Sequence, residues 1–193
     1  MGTIGQTSVT VFPATAQAGQ LADLALNVIE TFTAIEVINP GRFVEVASDG
    51  LSVQQVQGTS SSDTTGHFYK TALGVAIMKT AREGAGASGV TAYGVGGPAY
   101  AIGDPVPVLR RGRIFAEWKG TTQPAFGQAQ VYHSSTTGDL ADRGKVTDAA
   151  VGQSAGSEVS YLPAGVLTRY ALPGTGPVVL IDVNFPSATT SAT

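Results

Sequence analysis

The sequence contains no cysteine, which excludes disulfide bonds and thiolate metal sites. Histidine occurs only at His67 and His133, which are far apart and have no carboxylate or second histidine at the spacing of metal ligands. An ordinary surface or interface role is typical of histidines in such a setting. We therefore predict no metal site, no cofactor-binding residue and no cofactor.

Charged residues are also scarce. They make up 13% of the 193 residues, about half the share of an average soluble domain. Such a chain either is rich in small residues and loops or covers much of its surface in an assembly. The formal net charge of −3 argues against direct nucleic-acid binding, which needs a concentrated basic surface. The one dense basic cluster is typical of solvated turn arginines or of salt bridges between subunits: Arg110, Arg111 and Arg113.

Membrane and secretion signals are missing too. No uninterrupted apolar run approaches the ~20 residues that cross a bilayer, so no membrane partner is expected. The segment Met1–Gln6 lacks the basic and apolar regions of a secretory signal. We therefore expect the protein to stay where it is made.

No catalytic motif is present in the sequence. The Gly-x-Ser-x-Gly nucleophile elbow does not occur. Segment 138–146 has one residue too many between its glycines for a phosphate loop, and no serine or threonine follows Lys145. The glycine-rich run 94–97 lacks the strand, turn and helix of a dinucleotide site. We predict no catalytic residue and expect the scattered acids to face solvent on hairpin strands: Glu30, Glu36 and Glu45.

Glycine and turn signals, by contrast, are abundant. The 25 glycines and many small residues favour short strands joined by turns over long helices. Asn39-Pro40-Gly41-Arg42 fits a type II turn between the apolar segments 35–38 and 43–46, which predicts a hairpin. Asp49-Gly50 predicts the next turn, followed by a strand over 51–56.

The stretch 103–118 is the predicted centre of the fold. Two β-segments flank Arg111-Gly112, which we interpret as a turn because glycine tolerates a positive φ. Pro105 and Pro107 lack backbone donors, so they are expected at a sheet edge or with alternate donors turned away from the ladder. Trp118, the only tryptophan, is expected in the core.

Further strand patterns follow along the chain, and the last is the strongest: 73–78, 128–132, 159–162, 165–172 and 178–185. Together they predict an all-β fold, an antiparallel β-barrel or a jelly-roll-like sandwich, with extended N- and C-terminal arms. The predicted domains are an N-terminal arm over 1–18 with a short strand at Val9–Pro13, a single β-domain over 19–186, and a C-terminal tail over 187–193. Segment 19–26 is expected to be extended or a turn, and segments 58–66 and 82–97 are expected to be loops.

The order of these features resembles that of a known family. The similar features are Gly19-Gln20-Leu21-Ala22-Asp23, the Pro40–Val44 turn, the Leu73–Ala76 strand, Tyr100–Val108 leading into Arg111–Ala116, Ala129–Tyr132 and Thr137-Gly138. In this order, over residues 12 to 185, the chain resembles the structural cement, or decoration, proteins of tailed-phage capsids.

The resemblance implies a non-enzymatic protein made in the host cytoplasm and placed on the outer capsid surface of the virion. Such proteins bind an assembled head, bridge neighbouring subunits of the major capsid protein and resist internal DNA pressure. The implied partners are the major capsid protein and further copies of this chain, as a homotrimer or, as second choice, a homodimer. Low charge agrees with surfaces that become interfaces.

The candidate capsid contacts are apolar residues of the arm and the basic cluster: Val9, Val11, Phe12, Arg110, Arg111 and Arg113. Arms can become ordered on a partner, and guanidinium groups pair well with carboxylates. The alternative is a β-sandwich module that binds carbohydrate or a receptor on a phage or cell surface. Its stacking platform would consist of aromatic residues that we otherwise expect to pack in the core and loops: Tyr69, Tyr93, Tyr100 and Trp118.

Overall fold

The computed structural model describes residues 17–22, 27–56, 72–78, 99–119, 130–133, 140–147, 152–154, 157–161, 167–171 and 178–185. Within these ranges the regular elements are strands, apart from one 3-10 turn at Leu140–Asp142. The strands are β1 (Val28–Ala34), β2 (Phe43–Val46), β3 (Ser52–Gln55), β4 (Ala72–Ala76), β5 (Pro105–Glu117), β6 (Gln130–His133), β7 (Val146–Thr147), β8 (Gly152–Ser154), β9 (Ser157–Tyr161), β10 (Leu167–Ala171) and β11 (Val178–Asn184). The all-β prediction is confirmed.

Five of these strands close into a barrel. The larger sheet has the order β1-β3-β2-β4-β5-β11-β10, and β1 also pairs with β5, which closes the ring of the first five. The barrel contacts are antiparallel except for β1 with β3, which is parallel. Of the two predicted architectures, the structure therefore has the barrel. A smaller sheet of order β7-β6-β9-β8 is joined to it through a bridge between Trp118 and Val146.

The predicted hairpin at Arg111-Gly112 is wrong, because β5 runs unbroken through both residues. Its first half pairs with β1 and β4, and its second half pairs with β11, from Arg111 opposite Asn184 to Glu117 opposite Val178. Gly112 does have a positive φ, 135°, and a Cβ there would overlap the Asn27 side chain. The glycine therefore lets a continuous strand change partners, where we had predicted that it reverses the chain.

The predicted hairpin around Pro40-Gly41 is also wrong, although the turn itself is present. Gly41 has a φ of 77°. Segment 35–38 is not a strand and does not pair with β2. Its last residue, Ile38, exchanges two backbone hydrogen bonds with Tyr100, at 3.1 and 2.8 Å. β2 pairs with β3 and β4 instead. Long-range pairing has overridden the local hairpin signal here.

Other sequence predictions are confirmed. The Asp49-Gly50 turn joins β2 to β3, Gly50 has a φ of 70°, and the Asp49 carboxylate accepts the backbone N–H groups of Leu51 and Ser52. The other predicted strands correspond to β4, β6, β9, β10 and β11, and residues 19–22 form a turn and a bridge. The arm strand Val9–Pro13, the loops at 58–66 and 82–97 and the tail at 187–193 lie outside the described residues.

Three apolar clusters form the core of the described part. One lies around Val44, Val53, Tyr100, Val106 and Val108. A second includes Trp118, only 6% exposed as predicted, and one face of the strongly apolar β11. The third packs Ala18 and Phe115 against the other face of β11, at Val178 and Leu180. Residues on both faces of β5 contribute to all three clusters, so this strand supplies each of them with part of its packing surface.

Pro107 lies in β5 between two neighbouring strands and leaves a carbonyl without its usual donor. Its own carbonyl accepts the Ile77 N–H at 2.9 Å, but proline cannot return a bond to the Ile77 carbonyl. The buried Tyr100 hydroxyl donates to that carbonyl instead, at 2.7 Å. A side chain therefore replaces the missing backbone donor, as buried carbonyl groups require.

We expect Tyr100→Phe to lower the free energy of unfolding by about 1–3 kcal/mol, because it leaves the Ile77 carbonyl unsatisfied. Urea unfolding followed by Trp118 fluorescence measures the loss. Adding Pro107→Ala to this variant supplies a backbone donor and should recover part of the stability, whereas Pro107→Ala alone should gain less. Equal stability of Tyr100→Phe and the wild type would contradict the assignment.

Candidate functional site

A network of buried charged side chains connects the barrel to the smaller sheet. Arg42 follows the Pro40-Gly41 turn and Glu117 ends β5; both are under a tenth exposed. The guanidinium contacts both Glu117 carboxylate oxygens, Nε at 2.7 Å and Nη2 at 3.3 Å. Its Nη1 also donates to Gln55 Oε1 at 3.1 Å and to the Arg143 carbonyl at 3.3 Å. The Arg42 guanidinium thus links the end of β5, the end of β3 and segment 140–147 by hydrogen bonds.

The segment 140–147 extends this network on one side. Lys145 Nζ lies 2.9 Å from Glu117 Oε1 and 2.9 Å from Asp142 Oδ1. Lys119, just after β5, donates to the other Asp142 oxygen. Burial acts to raise the pKa of Asp142, but the bonds from the two ammonium groups outweigh it and hold that pKa below its ordinary value.

Glu36 extends the network on the other side and does not simply face solvent as predicted. It lies 2.6 Å from Arg143 Nη2, and it accepts the Gln55 N–H at 2.6 Å. Glu45 is only 6% exposed, which also contradicts the solvent-face prediction, and it accepts a bond from Gln54 Nε2 at 2.8 Å. The strand predictions for these acids used alternation alone, which cannot show that a neighbouring segment covers the outer face.

Opposite charges pair throughout this network, so it resembles a structural clamp more than a reactive centre. Among the described residues there is no group of three or more histidine, aspartate or glutamate side chains able to hold a metal ion. Sequence reasoning missed the network because its charged residues are isolated along the chain, in turns and at a strand end, and paired residues are up to 107 positions apart. The local signal was the charged run 142–145, which we compared with a phosphate loop and rejected as one.

The predicted basic cluster does not act as one unit. Arg110 is 5% exposed and its Nη1 lies 3.2 Å from Glu30 Oε2. Arg111 and Arg113 are exposed, with Arg113 Nε 2.9 Å from Asp182 of β11. The accessible guanidinium groups thus lie on β5 beside the Asp182–Asn184 end of β11. Val9, Val11 and Phe12 lie outside the described residues.

The predicted aromatic platform loses two of its members. Tyr100 is 2% exposed and Trp118 is 6% exposed, so both pack in the core as the preferred interpretation had it. Tyr69 and Tyr93 lie outside the described residues, as does His67; His133 ends β6. In the described part of the chain, no helix is long and apolar enough to span a membrane.

Several large apolar side chains, by contrast, are exposed. Leu51 is 79% exposed before β3, and Ile102 is 70% exposed in the turn before β5. Val28 and Ile29, adjacent in β1, are each 45% exposed. Exposed apolar residues beside a strand are more typical of an interface than of a catalytic pocket.

The barrel and the clamp describe the architecture, and comparison with known proteins gives the class of protein. A solved structure titled "The capsid of Myoviridae Phage XM1" matches with a TM-score of 0.56 and 18% identity, covering 95% of this chain and 97% of that one. At this identity the likeness establishes the fold. No curated protein matches.

The phage family "Structural cement protein" matches residues 5–183, almost the whole chain. The chain belongs to this family. The resemblance inferred from the order of strands and turns is confirmed, and the family points to a structural, non-enzymatic role in a phage capsid.

The Asp142 carboxylate generates a pH prediction. Its folded-state pKa lies below the 3.8 of an ordinary aspartate, so its stabilising contribution is present above that value and is lost as the pH falls through the folded pKa. We expect the wild type to be more stable than Asp142→Asn at about pH 7, and the gap to shrink below about pH 5. Urea unfolding at each pH measures it, with the non-ionising Asp142→Asn variant as reference. A gap that stays constant down to about pH 3 would contradict the prediction.

Proposed function

We propose that this protein binds the outer surface of an assembled phage head and bridges neighbouring subunits of its major capsid protein. The observation that carries the proposal is membership of the structural cement family over residues 5–183. A ligand that binds only the assembled shell stabilises it by mass action. If each copy contacts two subunits, its binding free energy is lost when they separate, so the shell resists internal DNA pressure.

The physical properties of the chain support a role by binding, without chemistry. The charged side chains of the clamp pair with one another, and this pairing suits a role in positioning segments of the protein. A charged-residue content of 13% suits a surface that an assembly covers. Many copies on one shell add avidity, so each contact can be modest. We propose a closed homotrimer, with a homodimer as the second choice.

We assign the polar capsid contact to Arg111 and Arg113, because they are exposed and Arg110 is held by Glu30 inside the protomer. Guanidinium forks suit carboxylates on a partner surface. The N-terminal arm, through Val9, Val11 and Phe12, is the proposed apolar contact. A terminal segment of this kind can add contact area without contributing to the barrel.

The bridging proposal predicts that heads saturated with this protein release their DNA at a higher temperature than matched heads without it. Heating both samples with a DNA-binding dye outside the head records the release. The control is the same mass of an unrelated protein that does not sediment with heads. Equal release temperatures at full occupancy would defeat the proposal.

The arginine assignment predicts that Arg111→Ala/Arg113→Ala weakens binding to heads by about tenfold, since two charge-assisted contacts are lost. Cosedimentation over a range of protein concentrations gives the affinity. The variant Arg111→Lys/Arg113→Lys keeps both positive charges but loses the planar guanidinium groups, so it should retain part of the binding. An Ala double variant that saturates heads at wild-type affinity would overturn this assignment and leave the bridging proposal standing.

A further inference from the structure

Within the described part of the chain, one side of β1 is open over most of its length. On one edge β1 pairs with β5 from Val28 to Thr33. On the other edge β3 begins only at Thr33, whose partner is Ser52. Among the strands that the structure describes, none pairs with this second edge over Val28–Phe32, which we call the β1 edge.

The hydrogen bonds between β1 and the β5 side show which backbone groups of β1 point outward. Ala34 donates its N–H to the Asp104 carbonyl and accepts the Gly103 N–H, so its backbone groups face the β5 side. In an antiparallel ladder this orientation alternates, which turns the groups of Phe32 and Glu30 inward too. Pro107, opposite Thr31, directs its carbonyl to Ile77 on the β4 side, so this pair exchanges no ladder hydrogen bonds. The N–H and C=O groups of Ile29 and Thr31 therefore face the open edge.

Apolar side chains border these outward groups. Val28 and Ile29 are each 45% exposed, and Leu51, the residue before the start of β3, is 79% exposed. The β1 edge contains neither lysine nor proline, the residues that commonly protect an edge from pairing. Outward backbone groups beside exposed apolar side chains are the arrangement that accepts an added strand.

We propose that the β1 edge binds an extended segment of a capsid subunit as an additional strand. This inference rests on the proposed function and says which surface attaches to the shell. The incoming segment would exchange hydrogen bonds with Ile29 and Thr31 and place an apolar side chain near Leu51. Its length would be about four or five residues, because β3 blocks the edge at Thr33.

Charge favours this occupant over a second copy of the chain. Suppose that two copies pair their β1 edges in antiparallel orientation. If both use the outward N–H and C=O groups of Ile29 and Thr31, the pairing is centred on Glu30. It would place Glu30 directly opposite its own copy, and like charges opposite one another destabilise a strand pair. The Glu30 side chain is 44% exposed although it contacts Arg110. A segment with a neutral or basic residue opposite Glu30 avoids this repulsion.

The test compares Thr31→Pro with Thr31→Val in binding to purified heads. Proline removes an outward N–H that the described fold does not use and its ring obstructs the edge, whereas valine keeps the N–H and the strand preference. We expect Thr31→Pro to bind about tenfold more weakly, as for one or two lost backbone hydrogen bonds. Thr31→Val should bind within about twofold of the wild type.

A second pair of variants keeps the test decisive if proline disturbs folding. Ile29→Lys adds a charge at a half-exposed position of the edge, and Val37→Lys adds the same charge at a position 54% exposed outside β1. We expect about tenfold weaker binding for Ile29→Lys and no loss for Val37→Lys. Urea unfolding verifies that each variant is folded.

The outcomes separate the possible errors. Folded Thr31→Pro and Ile29→Lys variants that bind like their controls would overturn the edge assignment while the proposed function stands. A wild-type protein that fails to sediment with heads would overturn both. If light scattering shows that Thr31→Pro dissociates an oligomer while head binding persists, the occupant is a second copy, and the capsid segment is wrong.

Discussion

The fold depends on a position in β5 that excludes a side chain. Gly112 has a φ of 135°, and a Cβ there would overlap Asn27, so this backbone conformation favours glycine. Up to Leu109 β5 closes the barrel against β1 and β4; from Arg111 onward it pairs with β11 and, through it, carries β10. The register between β1 and β5 shifts at Arg110, between the partners of Val28 and Ile29, which marks the same change of partner. One strand can therefore serve two parts of the molecule.

This change of strand partner along β5 also explains where sequence reasoning succeeded and where it failed. Strand existence was predictable because apolar patterns of period two and turn residues are local, as at Asp49-Gly50 and in β11. Which strands pair with one another was not predictable from the sequence. An arginine followed by a glycine with positive φ is compatible with a hairpin turn and with a continuous strand. Only the pairing of Gly112 with the distant Val183 distinguishes the two. The same holds for Ile38, which pairs with Tyr100 in preference to the neighbouring strand.

The buried clamp was unpredictable for a related reason. Arg42, Glu117 and Lys145 come from segments far apart in sequence, and each looks like an isolated surface charge until the fold places them within hydrogen-bond distance. Burying such charges costs desolvation energy, and a buried pair often adds little net stability over apolar packing. Its value here is geometric. The bidentate contact and the lysine fix segment 140–147 against the end of β5 with directional bonds, which apolar contacts would not provide.

A closed barrel has no free edges, so an open edge on a barrel protein needs a reason. Here the order of strands supplies one. Because β3 meets β1 only at its last two residues, the remainder of β1 has β5 as its one neighbour among the strands that the structure describes. The rigid part of the fold thus holds a short, apolar, hydrogen-bonding edge in a fixed position. An attachment site on a shell benefits from that rigidity, because a preformed edge loses little conformational entropy when it binds. A short edge also limits the reach of self-pairing, and Glu30 at its centre opposes it further. The proposed attachment thus combines outward backbone groups that can bind a repeated surface with a length and a charge that oppose pairing of the edge with itself.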